Sequence, residues 1–238
     1  MENEDIFDML DNGTDISKVD KKEKPQVPKE RTEYNPNWSN RDIEPVKLSR
    51  DNLVTAEKCF TLVTSYRTEQ LSETAKNKIT KVLSYIGSHG NSMVYRNMTS
   101  GTDTLAKEWL SSFENKECYL PWRNFNKDIK NCIIFQPTEL AYRVASSYHK
   151  NYIKLPDIIR TILACKVHTV LGKSCKEPVK FILAYSDCGS ETFKKDMDWK
   201  QLGDLGFYIR MSKELSIPFI NIANPDFSAE KLNKLINI

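Results

Sequence analysis

From residue 59 onward, apolar positions alternate between short unbroken runs and stripes at helical spacing, and that alternation predicts the elements. The run CFTLVT at 59–64 suits a buried parallel strand. Residues 72–86 place leucine and isoleucine on one helical face, with Gly87 and Gly90 as the stop. The stretch MVYRNM at 93–98 alternates as a strand, TSGTD at 99–103 punctuates it, and a helix is expected over 104–113. Residues 117–120 give a third strand, closed by Pro121. After a polar loop, 137–147 and 156–171 have helical spacing, each opened by a proline near the first turn. The run VKFILAY at 179–185 is the clearest strand; 206–215 is helical, 217–222 is the last strand, and 228–238 is an amphipathic helix. Strands separated by helices predict an α/β fold, a parallel sheet covered on both faces and joined by right-handed crossovers.

The first 50 residues differ. Pro25, Pro28, Pro36 and Pro45 sit among alternating charges with little apolar matter, so burial cannot offset the entropy of ordering. The expected organisation is a disordered charged tail over 1–50 and one domain over 51–238. Within the tail, Ile6, Met9 and Leu10 recur at helical spacing beside Phe7, which suits a short acidic helix at 5–10 that folds on a partner protein. A solvated tail with no specific contact accounts for the same residues.

Charge sharpens that division. The whole chain carries +3, but residues 1–50 hold 12 acids and 9 bases, leaving 20 acids and 26 bases in the body, a net +6. Such a body is mildly basic and lacks the strong footprint of a dedicated DNA binder. The six cysteines contain no Cys-x-x-Cys pair, and Cys59, Cys118 and Cys132 lie in or beside apolar runs. Buried free thiols are therefore expected over a disulfide framework. With only three histidines, no metal site is expected, and His149 and His168 are read as hydrogen-bonded helix residues rather than bases. No run reaches the ~18 apolar residues of a membrane span, and the acidic start is the opposite of a signal-peptide leader, so the expected location is cytoplasmic.

Four motifs fall at strand ends in one order: Thr64, Ser65, Tyr66 and Arg67 after the first strand; Ser100, Gly101, Thr102 and Asp103 after the second; the run from Tyr119 through Trp122 and Arg123 to Asn126 after the third; and Ile217 to Asn221 at the end. Together they resemble phage-encoded proteins of the SLOG superfamily, which also holds DprA and the LOG phosphoribohydrolases. The resemblance covers about residues 59–226. It implies a Rossmann-like fold, a nucleotide or nucleotide-derived ligand, a place in the host cytoplasm, and pairing of two copies through helices.

Physical chemistry points to the same strand ends. In an open parallel sheet the ligand crevice lies beyond the carboxyl ends of the strands. Ser100 and Gly101 let the backbone approach a phosphate while Thr102 or Asp103 caps the following helix, though an ordinary capped helix start needs the same residues. Arg67 suits bidentate phosphate pairing, and equally a surface position. Trp122, Arg123 and Phe125 can stack on a base and contact its phosphate, or plug the sheet edge.

Departures from the family pattern narrow the function. Ser65 and Tyr66 precede Arg67 where the family has glycine and serine. Cys165 and Lys166 stand where it has arginine and asparagine, and Gly203, Asp204, Leu205 and Gly206 replace a glycine-glycine-threonine turn. The Asp204 carboxylate repels a phosphate there. LOG hydrolases need an acid after the glycine turn, but Gly206 is followed by Phe207, Tyr208, Ile209 and Arg210. The expectation is non-catalytic binding of a nucleotide-like molecule, with Lys166, Gly203 and Gly206 on the binding side. Its competitors are an adaptor that uses the acidic tail and basic body, and DprA-like binding of single-stranded DNA.

Overall fold

In a computed structural model, residues 43–54, 59–64, 71–89, 92–96, 116–122, 137–192 and 205–236 are described. The expected tail helix at 5–10 and the helix at 104–113 lie outside them. The described residues form five strands: β1 (Cys59–Thr64), β2 (Ser92–Arg96), β3 (Lys116–Tyr119), β4 (Phe181–Tyr185) and β5 (Phe219–Asn221). The helices are α1 (Glu73–Ser88), α2 (Glu139–Tyr148), α3 (Asp157–Leu171), α4 (Leu205–Leu215) and α5 (Ala229–Ile236). All four strand pairings are parallel, in the order β3-β2-β1-β4-β5. The chain is thus a mixed α/β protein built on a parallel sheet.

Burial follows from position in that sheet. Every residue of β4 is buried, as a strand with neighbours on both sides and apolar cover requires. Helix α3 packs against α2 and reaches β2 and β3. Twelve of its fifteen residues are buried, Arg160 and Lys166 among them, so it is interior on nearly every side. The Tyr142 hydroxyl ties α2 to α3 by donating to Thr161 Oγ1 at 2.9 Å.

Helix ends follow local chemistry. Ser72 caps α1 by accepting from the Ala75 amide at 3.1 Å, and Thr138 caps α2 by accepting from Ala141 at 3.3 Å. Pro137 and Pro156 therefore sit just outside the helices they announce. The helix ends between the two expected stops, Gly87 and Gly90, running through the first to Ser88. His89 ends it by donating from Nδ1 to the Tyr85 carbonyl at 2.7 Å. Gly172 ends α3 at φ +67° and ψ −172°, a conformation that favours glycine.

Residues 43–50, read from the sequence as the end of the tail, instead begin a strap over the body. The Val46 amide donates to the Arg143 carbonyl at 3.0 Å, and Arg143 Nε donates back to the Glu44 carbonyl at 3.2 Å. Ile43, Val46, Leu48 and Leu53 rest half-buried on the core. Lys47 pairs with Glu214 at 3.0 Å, and the Val54 amide closes the strap on the Lys176 carbonyl at 2.9 Å.

Candidate functional site

Because all strands run the same way, their carboxyl ends share one rim. The register pairs Thr64 with Tyr185, Arg96 with Tyr119, and Ala184 with Asn221 along it. Strands β1, β2 and β3 step in one direction, while β4 and β5 continue on the other side of β1. The direction of winding reverses between β1 and β4, and such a reversal leaves a crevice beyond the two strand ends. Thr64 stands at that boundary, opposite Tyr185.

The four sequence motifs are placed unequally. Ser65, Arg67, Ser100, Gly101, Thr102 and Asp103 lie outside the described residues, as do Arg123, Phe125, Gly203 and Asp204. Trp122 is half-buried and packs on the hydrophobic core. Lys166 is 1% exposed on α3, an interior position. Gly206 is buried in the first turn of α4, so the expected turn has already become helix by Leu205. The residues after it are core: Phe207 meets Tyr148 edge-on at 6.1 Å between ring centroids, and the Tyr208 hydroxyl lies 3.2 Å from Thr169 Oγ1.

Beyond β4 and β5, the rim is occupied by the protein itself. Asn221 is fully buried; its carboxamide oxygen accepts from the Ser186 and Ala223 amides at 3.2 and 3.1 Å. Its nitrogen donates to Ser186 Oγ at 2.8 Å and to the Ser190 carbonyl at 3.2 Å. The Glu191 carboxylate accepts from the Asn221 amide at 3.0 Å and pairs with Lys231 of α5 at 2.7 Å. A turn closes with the Gly189 amide on the Ser186 carbonyl at 2.9 Å, Gly189 being at φ +62°. Exposed Asp187 and Cys188 form its tip, with the Tyr185 hydroxyl donating to Asp187 at 3.1 Å. The described self-filling of the rim is thus on the β4 and β5 side of Tyr185. Sequence reasoning missed this network, although a lone asparagine closing the apolar run IPFIN was its available signal.

At the β3 end, His168 ties the start of α2 to the end of α3. It is fully buried and stacks on Tyr119, with centroids 5.6 Å apart and planes 9° from parallel. Its Nε2 accepts from the Thr138 amide at 3.1 Å, and Nδ1 donates to the Gly172 carbonyl at 2.9 Å. Burial holds its pKa below the ordinary histidine range, while the Gly172 bond acts weakly the other way. His149, at the end of α2, is also held low, first by burial and then by the cations of Lys166 and Arg210. Both histidines are hydrogen-bonded, His149 accepting from the Asn151 amide at 3.3 Å.

Cys165 and Cys175 are free and buried, and burial pushes the Cys175 thiol up to about 11. Cys188 corrects the expectation of burial, since it is free and exposed. Among the described residues no group of three or more His, Cys, Asp or Glu could hold a metal ion, and no helix is long and apolar enough to cross a membrane. Comparison with family models, curated proteins and solved structures finds no match to this chain.

Proposed function

We propose that the chain is a Rossmann-like protein of the SLOG type that binds a nucleotide or nucleotide-derived small molecule without transforming it. The observation that carries this reading is the reversal of winding between β1 and β4, which sets Thr64 and Tyr185 at a crevice. Sequence supplies the rest: Ser65 and Arg67 directly follow Thr64, and Ser100 to Asp103 follow β2 by a few residues. The burial of Phe207 and Tyr208 after Gly206 supports the non-catalytic half, because core side chains occupy the stretch where a hydrolase needs its acid.

Calorimetry with a panel of nucleoside mono-, di- and triphosphates, cyclic nucleotides and ADP-ribose tests it. Saturable binding by one class is expected, weakened at least about tenfold by Arg67→Ala through loss of a charge-assisted contact. An intact fold that binds none of them overturns the reading.

A second reading, adaptor binding to a host or phage protein, gains from the strap, which anchors the chain at 43–54 immediately after the acidic segment. Deleting residues 1–42 leaves the strap in place, and loss of co-purifying partners on that deletion favours the adaptor. DprA-like binding of single-stranded DNA instead requires affinity that falls steeply with salt.

A further inference from the structure

The partners of His168 fix its protonation state. The Gly172 carbonyl can only accept, so Nδ1 carries the proton; the Thr138 amide can only donate, so Nε2 is a bare lone pair. The neutral ring thus bridges two separate stretches of main chain, the start of α2 and the end of α3, and braces Tyr119 at the rim. The Gly172 carbonyl is shared with the Cys175 amide at 3.3 Å, so that acceptor is already saturated.

Nothing in these described surroundings compensates a positive charge. From β3 the facing group is the Tyr119 ring, and from α2 it is the Thr138 hydroxyl, 3.4 Å from Nε2. From the turn after α3 it is the Cys175 thiol, 3.7 Å from Nδ1. Of the charged residues described on these segments and on α3 near His168, Glu139, Lys173, Lys176 and Glu177 are exposed, Arg143 is half-buried with its Nε on the Glu44 carbonyl, and Lys166 is a buried cation whose like charge opposes an imidazolium. A proton on Nε2 sets one N–H against another at the Thr138 amide and buries a cation.

We propose that His168 is a proton-operated latch: uptake of one proton from solvent at Nε2 breaks its bond with the Thr138 amide and releases the start of α2 together with the Tyr119–Trp122 stretch, opening the β3 end of the rim while β4 and β5 stay paired. The released imidazole titrates near its ordinary ~6.5 and the latched one lower. Latching free energy is therefore complete above about pH 6.5 and drains as pH falls toward the latched value, about tenfold in the opening equilibrium per pH unit. This device goes beyond the binding reading and does not depend on any ligand.

Hydrogen exchange read by mass spectrometry on the full chain at pH 7.5 and 5.5, corrected for intrinsic rates, tests it. Peptides covering 116–122 and 137–145 lose protection by up to about tenfold at the lower pH, while those covering 181–185 and 217–222 keep theirs. In His168→Gln the amide can still accept and donate but not titrate, so protection over 137–145 becomes independent of pH whatever its level. If that variant does not fold, His149→Gln serves, and it retains the wild-type response. Unchanged protection over 137–145, loss shared equally by β4 and β5, or a response abolished by His149→Gln each overturns the latch.

Discussion

Asn221 and Ser186 are joined twice, the Asn221 carboxamide oxygen accepting from the Ser186 amide and its nitrogen donating to Ser186 Oγ, and the same nitrogen also donates to the Ser190 carbonyl beyond. One buried carboxamide thereby ties the end of β5 to the turn that leaves β4. Asn221→Ala strands the Ser186 and Ala223 amides and the Ser190 carbonyl in a dry site. A loss of about 2–3 kcal/mol in urea unfolding is expected. A change below about 0.5 kcal/mol would mean that the rim network is not what holds this turn.

Two glycines should differ in their response to alanine. Gly189 is at φ +62°, and an added Cβ meets Asn224 Cα at 3.1 Å. Gly172 combines φ +67° with ψ −172°, and a Cβ there meets Glu177 Cβ at 3.1 Å. A positive φ disfavours an L side chain at both positions, and the φ and ψ of Gly172 together fall in a region that is essentially glycine's alone. Gly189→Ala should cost about 1–2 kcal/mol and Gly172→Ala about 3 kcal/mol in the same assay. The reverse order would contradict the backbone geometry.

Thiol labelling separates the described cysteines. Cys188 is exposed, whereas Cys165 and Cys175 are buried and Cys175 ionises only near about 11. Brief iodoacetamide treatment of the native chain, mapped by peptide mass, should modify Cys188 at least about tenfold faster than either buried thiol. Comparable rates would show that the core opens faster than it is labelled.

The strap offers a contrast between main-chain and surface contacts. Val46→Pro removes the amide that reaches the Arg143 carbonyl and should cost about 1–2 kcal/mol. Lys47→Ala removes an ion pair whose lysine is 72% exposed, and should shift stability by no more than about 0.5 kcal/mol. Thermal melts of the two variants settle the comparison, and equal shifts would contradict it.

What was legible in the sequence was the part written in local period. VKFILAY became β4 with every strand residue buried, and 156–171 became α3, because an apolar run or stripe needs no distant partner to be recognised. The strap escaped because its apolar residues are few and lie beside Pro45 and charges, and its anchors at Arg143, Lys176 and Glu214 are about a hundred residues or more away. At the end of α1, between the expected stops Gly87 and Gly90, the spacing did not reveal that the His89 ring takes the Tyr85 carbonyl. At the rim, Asn221 and Glu191 meet across 30 residues, so spacing alone could not pair them. Lys166, expected on the binding side, is interior in the fold, since a helix buried on nearly every side has no outer face to give it.

The Glu191 carboxylate has one more consequence. Ile222 sends its amide toward β4, so the neighbouring amide of Asn221 faces the open border of the sheet, where Glu191 stoppers it while held by Lys231. A foreign strand arriving at β5 meets an occupied donor and a fixed negative charge instead of a bare ladder. Growth of the sheet by stacking chain upon chain is thus obstructed on that flank.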